Sequence, residues 1–110
     1  MDEYLKLKEK ALEELGIDGS VYDELLRSFI PEAEAEMRKL DEAAGAGDLG
    51  AIAKIGHGLK GLAGNLPMER IQYTAREVEA LAKESAGKQA ITEKIAELKL
   101  ELARVKQWIQ

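Results

Sequence analysis

The side chains best suited to chemistry lie in one short segment, His57-Gly58-Leu59-Lys60-Gly61. His57 is the only histidine of the sequence, and neutral imidazole is a good nucleophile. Lys60 follows three residues later, so in a helix its ammonium lies about one turn from the imidazole. Taken alone, a single histidine and a nearby lysine are more often ordinary solvated side chains, and the surrounding sequence must decide between the two interpretations.

The surrounding stretch, residues 48–66, has the pattern of an amphipathic helix. Apolar residues recur at spacings of three and four and form a stripe that we expect to be buried: Ile52, Ile55, Leu59, Leu62 and Leu66. The opposite side carries Ala53, His57, Lys60, Gly61 and Gly64. Asp48 is placed to cap the first turn. The pattern therefore predicts a helix with His57 facing outward.

Glycine is unusually frequent in this predicted helix, at Gly56, Gly58, Gly61 and Gly64. Each glycine in a helix interior costs about 0.5–1 kcal/mol relative to alanine. A missing side chain lets a bulky partner approach, so we expect the glycines to provide clearance around the imidazole. A weak, frayed helix is the alternative, and the uninterrupted apolar stripe disfavours it.

The rest of the chain predicts four more helices and no strand, which makes the fold class all-α. A first helix covers residues 2–15. The second begins near Val21, after an N-cap at Ser20, and ends at Gly45-Ala46-Gly47. The last two cover about 68–84 and 90–109. We expect the four helices from Val21 onward to form an antiparallel four-helix bundle, with the additional N-terminal helix lying across it.

Each bundle helix has a predicted buried stripe. Pro31 interrupts the second helix and is expected to kink or split it. The stripe of that helix is Leu25, Leu26, Phe29, Ala33, Met37 and Leu40. The stripe of the fourth is Ile71, Ala75, Val78 and Ala82, and that of the fifth is Ile91, Ile95, Leu98, Leu102, Val105 and Ile109.

Composition limits the remaining possibilities. A chain of 110 residues with 45% apolar residues fits a single domain over residues 1–110. The absence of cysteine excludes disulfides and thiolate metal sites and suits a reducing cytoplasm. A net charge of −5 without a basic stripe argues against nucleic acid, and no apolar run is long enough to span a membrane. We expect a cytoplasmic monomer.

The segment from His57 to Gly61, continued by Leu62-Ala63-Gly64-Asn65-Leu66, resembles the H-x-x-K-G signature of histidine-containing phosphotransfer (HPt) domains of two-component phosphorelays. Similar hydrophobic spacing extends from about Ile17 to Leu81. The resemblance implies a helical bundle whose exposed histidine is transiently phosphorylated on Nε2, with Lys60 stabilising the phosphoryl oxygens. HPt sequences often have glycine where this chain has Pro67, so the turn there is expected to differ locally.

Glu79 is the third candidate catalytic residue. In HPt domains a polar residue of the following helix often accepts a hydrogen bond from Nδ1–H of the histidine, and counting without a gap from His57 places Glu79 at that position. In this respect the chain resembles the phosphotransfer domains of chemotaxis kinases, which also have a carboxylate at this position, whereas many relay domains have an amide. A solvated helix acid is the alternative. Residues predicted to form the partner-binding face are Gly61, Gly64, Lys54, Asn65, Arg70 and Gln72.

The resemblance implies a phosphoryl carrier and not an autonomous enzyme. His57 would accept the group from a phosphorylated receiver domain, or from a sensor or hybrid histidine kinase, and pass it to a receiver aspartate. We find no nucleotide-binding motif and expect no cofactor, because the receiver domain would supply Mg²⁺. Met1 and the regular last helix favour a free-standing chain.

Two other functions are alternatives to the carrier. One is a helical-bundle adaptor, either a degenerate HPt fold or a structural bundle, that binds signalling proteins without chemistry. The presence of both His57 and Lys60 argues against degeneracy. The other is a metal-binding bundle, which is disfavoured because one histidine and no Glu-x-x-His pair cannot build the usual site.

Overall fold

A computed structural model describes residues 2–109 of the chain, and these residues form five α-helices joined by short turns. The helices are α1 (Asp2–Leu15), α2 (Gly19–Ala46), α3 (Leu49–Gly64), α4 (Glu69–Lys83) and α5 (Lys88–Trp108). No strand occurs between residues 2 and 109. The predicted all-α class and the predicted number of helices are confirmed.

The helices α2 to α5 form an antiparallel bundle. Each packs on the next along the chain, and α5 closes the ring against α2. Two ion pairs fix the direction of that closing contact: Glu34 of α2 pairs with Lys106 of α5, and Asp41, two turns later in α2, pairs with Lys99, two turns earlier in α5. In this ring α3 and α5 are diagonal to one another, and α4 separates them on one side.

The predicted buried stripes are confirmed for α4 and for most of α5. Only Ile109, at the end of α5, is half-buried. In α2 the prediction for Leu25 was wrong, because this residue is 43% exposed while Tyr22 and Ile30 are in the core. In α3, Leu59 is 1% exposed but Ile55 and Leu62 are only half-buried. The last two face a groove beside α2, so the predicted stripe is broader than the face that the core covers.

The second helix begins earlier than predicted and is not divided. Asp18, and not Ser20, is its N-cap, because the Asp18 carboxylate accepts hydrogen bonds from the backbone N–H of Val21 at 3.2 Å and from the Ser20 hydroxyl at 2.7 Å. Pro31 lies inside the continuous helix Gly19–Ala46. The expected split at Pro31 is therefore wrong, and the alternative, a kink, stays a prediction.

The first helix lies across the bundle, as predicted. Its Tyr4 ring packs against Trp108 of α5, with ring centroids 5.4 Å apart, and the Tyr4 hydroxyl donates to Asp23 of α2. Lys10 pairs with Glu69 of α4. The helix thus contacts three of the four bundle helices and covers one end of the core.

The turn between α3 and α4 brings the chain back beside the histidine helix. Leu66 is buried in it, and its carbonyl accepts a hydrogen bond from the buried Tyr22 hydroxyl at 3.3 Å. Pro67 has a φ of 22°, in a region that glycine enters freely and that the proline ring opposes. Pro67 thus has a positive φ, and the expected local difference from HPt domains with glycine at this position stays a prediction.

Candidate functional site

The start of α3 fixes the direction in which His57 points. Gly47 ends α2 with a φ of 67°, and Asp48 then accepts a hydrogen bond from the backbone N–H of Ala51 at 3.1 Å, so the predicted cap is confirmed. Leu59, two residues after His57, is in the core. This anchoring leaves the imidazole on the outer side of the helix, where its side chain is 66% exposed.

A carboxylate from the neighbouring helix contacts the inner nitrogen of the imidazole. Nδ1 of His57 lies 3.1 Å from Oε2 and 3.4 Å from Oε1 of Glu79. When Nδ1 carries the proton it donates to this carboxylate, which leaves the lone pair on Nε2. No hydrogen bond among residues 2–109 engages Nε2. The structure therefore brings together the two groups that the sequence placed on different helices, and leaves the outer nitrogen accessible.

Two lysines also contact Glu79. Lys83 Nζ lies 2.9 Å from Oε2, and Lys60 Nζ lies 3.4 Å from Oε1. The hydrogen bond from Lys83 is the main cause that lowers the pKa of Glu79 below its usual value; burial opposes this shift, and Lys60 adds to it. Although Glu79 is only 7% exposed, it is therefore an ionised carboxylate at neutral pH, with a cation on each oxygen.

Gly56 explains how Glu79 reaches the imidazole. A Cβ atom added to Gly56 would lie 3.1 Å from the backbone oxygen of Ala75 and 3.1 Å from the backbone nitrogen of Glu79. These are backbone atoms of α4, which cannot move aside cheaply. The missing side chain lets the two helices approach closely one residue before His57, and this approach carries Glu79 to the imidazole.

The four glycines around His57 in α3 (Gly56, Gly58, Gly61 and Gly64) do not share one role, contrary to the expectation of clearance for a partner. Gly58 and Gly61 have nothing within 4 Å of an added Cβ atom, so their surfaces are open. A Cβ atom at Gly64 would instead meet the side-chain nitrogen of Gln72 at 3.3 Å. Gly56 and Gly64 thus serve the contact between α3 and α4, and Gly64 is covered by Gln72 on the side predicted for docking.

The open side of α3 faces α2 across a groove. Half-buried Ile55 and Leu62 form its apolar floor beside Gly58, and Lys54 lines the same groove. The α2 wall contributes Glu32, Ala35, Glu36 and Lys39. A second, more polar cleft lies on the α4 side and is lined by Lys60, Glu69, Gln72, Tyr73 and Arg76.

The other predicted partner-binding residues are dispersed. Asn65 is the exposed C-cap of α3, and its backbone N–H contacts the carbonyls of Gly61 and Leu62. Arg70 points toward α5, where its Nε lies 3.9 Å from Oε2 of Glu101. It lines a cleft under α1 and does not group with His57. Two positions along a helix turn a side chain by about 200°, which separates Arg70 from Gln72.

Lys83 is the residue of the site that the sequence analysis did not single out. Its signal was present, because a glutamate followed four residues later by a lysine is a favourable pair on a helix surface. The pair gains significance only once Glu79 is placed beside His57.

No group of three or more histidine, cysteine or acidic side chains with metal-site geometry occurs among residues 2–109.

None of the helices is both long enough and apolar enough to cross a lipid bilayer, as judged over the described residues.

Comparison with known proteins gives one match. The family model of the Hpt domain matches residues 24–108, from the first turns of α2 to the end of α5, and so includes His57, Glu79 and Lys83. Neither the curated proteins nor the solved structures give a match. The family match spans well over half of the chain and covers all four bundle helices. The chain belongs to the Hpt domain family.

Proposed function

We propose that this protein is a phosphoryl carrier of a two-component phosphorelay, with His57 as the residue that is phosphorylated. The lone pair of Nε2 attacks the phosphorus of a receiver domain's aspartyl phosphate. The N–P bond forms as the P–O bond to the aspartate breaks, and the aspartate leaves as a carboxylate. In the return step another receiver's aspartate attacks the phosphorus and the imidazole leaves. Nδ1 keeps its proton throughout.

The observation that carries this proposal is the contact between Nδ1 of His57 and the ionised carboxylate of Glu79. A carboxylate accepts hydrogen bonds only, so it favours the tautomer with the proton on Nδ1. It also stabilises the positive charge that the ring acquires when Nε2 bonds to phosphorus. A solvated surface histidine would have no such partner, whereas Glu79 is held nine-tenths buried beside this one.

Lys60 serves the incoming group. Its side chain is 30% exposed and lies one turn along α3 from His57. From there the ammonium stabilises the charge on the phosphoryl oxygens, since phosphoryl transfer is catalysed mainly by positioning and electrostatic stabilisation. Lys60 also holds the second oxygen of Glu79. The same lysine therefore orients the carboxylate and faces the phosphoryl group.

The partners follow from the chemistry. The chain contributes a nucleophile and cations but no nucleotide-binding motif, so the phosphoryl group comes from a phosphorylated receiver or from a sensor or hybrid histidine kinase. The receiver supplies the Mg²⁺ ion that its aspartyl phosphate requires. Gly58, Gly61 and the groove beside Ile55 leave room for a partner next to His57. The carrier needs these partners and does not turn over a substrate by itself.

A transfer assay tests the proposal. The chain is incubated with a panel of phosphorylated receiver domains, and we expect phosphoryl label that is labile in acid and stable in base. His57→Gln should abolish the label and leave the helical circular dichroism unchanged, because His57 is exposed and contributes little to the core. Lys99→Met, far from α3, should accept label like the wild type.

Two outcomes would contradict the carrier. Label that persists on His57→Gln would remove His57 from the reaction. A chain that binds receivers tightly but takes no label from any of them would instead support the adaptor function, in which the bundle binds signalling proteins without chemistry.

A further inference from the structure

Lys83 and His57 share one oxygen of Glu79. Lys83 Nζ lies 2.9 Å from Oε2, and Nδ1 of His57 lies 3.1 Å from the same atom. Lys60 is on the other oxygen, Oε1, at 3.4 Å. The shortest of these contacts belongs to Lys83, which forms no hydrogen bond or ion pair with the imidazole in the part of the chain that the structure describes.

When two donors share one acceptor oxygen, the hydrogen bond of each donor is weaker. A carboxylate oxygen that already accepts a hydrogen bond from an ammonium has less negative charge to offer a second donor. Lys83 lies four residues after Glu79 on the same helix, so its ion pair also restrains the carboxylate. Its presence therefore affects both the position of Oε2 and the strength of its bond to Nδ1–H.

We propose that Lys83 is a positioning residue that sets, through Glu79, how strongly Nδ1–H of His57 is polarised. The importance of this role rests on the proposed function of His57. Its test does not, because it uses the unphosphorylated chain. A strong acceptor at Nδ1 makes Nε2 more nucleophilic and stabilises the phosphorylated ring. A weakened acceptor makes the N–P bond easier to break. Lys83 thereby shifts the carrier from holding the phosphoryl group toward releasing it.

Other charges near His57 must be separated from this effect. Lys60 lies on the same helix, and α4 contributes Glu79 and Lys83. On the α2 side the groove beyond Gly58 is lined by charged side chains, Glu32, Glu36, Lys39 and Lys54. Two comparisons distinguish an effect of Lys83 that acts through Glu79 from a general change in the electrostatic field at His57. One removes a lysine elsewhere in the chain, and the other is a double-mutant cycle in which the charge of Glu79 is also removed.

The test is an NMR titration of the imidazole in the unphosphorylated chain, where the single histidine gives an unambiguous signal. In Lys83→Met, Oε2 is left wholly to His57, the protonated ring gains stabilisation, and the titration midpoint should rise by roughly half a pH unit. Lys83→Arg keeps the charge and should retain the wild-type midpoint. Lys99→Met removes an equally charged, ion-paired lysine on the diagonal helix α5 and should also retain it.

The same titration is repeated in a Glu79→Gln background. There the rise caused by Lys83→Met should shrink to less than about half, because no charged oxygen remains to be shared. An unchanged midpoint in Lys83→Met, or an equal rise in Lys99→Met, would overturn the inference. So would a full rise in the Glu79→Gln background, since Lys83 would then act directly. Failure of the carrier in the transfer assay would leave these midpoints unaffected, so the two proposals fail separately.

Discussion

Two glutamates are buried in this bundle, and their surroundings differ. Glu79 is 7% exposed and Glu101 is 9% exposed. The Glu79 carboxylate contacts the imidazole of His57 and two lysines. Glu101 has an ion pair with Arg70 at 3.9 Å, and its Oε1 has no hydrogen-bond partner among residues 2–109. Similar burial thus accompanies a satisfied carboxylate in one place and an unsatisfied one in the other.

The pKa values of the two carboxyls move in opposite directions for this reason. The hydrogen bond from Lys83 is the main cause that lowers the pKa of Glu79, whereas burial is the main cause that raises the pKa of Glu101. A buried charge costs free energy unless it is paired and hydrogen-bonded. Glu79 is thus paired and hydrogen-bonded beside His57, whereas the burial of Glu101 is expected to cost stability.

The largest expected difference between the two glutamates is in phosphoryl transfer. Glu79→Met keeps the size of the side chain but removes the acceptor of Nδ1–H. A hydrogen bond to a charged group contributes about 1.5–3 kcal/mol, so phosphoryl uptake should slow by roughly 10–100-fold. Glu101→Met should transfer at the wild-type rate. The measurement is the initial rate of label uptake from one phosphorylated receiver.

Glu79→Gln sharpens this result, because an amide oxygen still accepts from Nδ1–H. It should retain more activity than Glu79→Met. Equal uptake by Glu79→Met and by the wild type would show that the contact in the structure has no part in transfer.

Most residues of the site could be predicted from the sequence, but the packing of the helices around it could not. Helical periodicity is a property of local spacing, so it located the outward face of α3 and the buried stripes of α4 and α5. The contact between His57 and Glu79 was placed by the family resemblance. The error at Leu25 arose because Leu25 and Leu26 are consecutive and therefore lie about 100° apart around the helix, so only Leu26 faces the core, although both fit the three-and-four spacing.

The roles of the glycines could not be predicted from their spacing in the sequence. Gly56 and Gly61 both lie in α3 and look alike in sequence, but only Gly56 faces the backbone of α4. Which glycine is covered depends on how α3 is rotated against its neighbour, and that rotation is set by packing across the whole bundle. The unsatisfied Oε1 of Glu101 could not be predicted either, because its spacing is that of an ordinary helix acid.

The second prediction concerns the close approach that brings Glu79, unlike Glu101, to its partners. Gly56→Ala places a methyl group against α4 backbone atoms and should lower the free energy of unfolding by about 1–3 kcal/mol. Gly61→Ala faces open space and should raise it by up to about 1 kcal/mol, because alanine is the better helix former. Denaturant melts of the two variants provide the comparison. A stabilised Gly56→Ala variant would contradict the packing described at this position.

A smaller effect is expected from Glu101 itself. Glu101→Met removes an unsatisfied buried carboxyl and keeps apolar volume, so at pH 7 the free energy of unfolding should rise by about 1 kcal/mol or more. Leu100→Met, at an exposed position of the same helix, is the matched control and should change little. A destabilised Glu101→Met variant would show that the carboxylate supports the fold through its ion pair with Arg70.

The pH dependence should have opposite signs at the two glutamates. Because burial raises the pKa of Glu101 above its usual value of 4.5, its protonated form favours folding. That contribution is complete below the unfolded pKa and is lost as pH rises through the folded pKa. The pKa of Glu79 is lowered, so its contribution is present above the unfolded pKa and is lost as pH falls through the folded one.

Melts from acid to neutral pH measure this sign directly. The stability gained by Glu101→Met should grow as pH rises from the acid side, and the stability lost by Glu79→Met should grow over the lower part of the same range. Parallel curves for the two variants would contradict the contrast between the carboxylates.

The central claim is that Glu79 occupies Nδ1 of His57 and leaves Nε2 to the phosphoryl group. The most direct measurement is ¹⁵N and ³¹P NMR of the phosphorylated, ¹⁵N-labelled chain, which identifies the nitrogen that bears phosphorus. We expect phosphorus on Nε2 of His57 and a proton on Nδ1. Phosphorus on Nδ1, or on any other residue, would contradict the account.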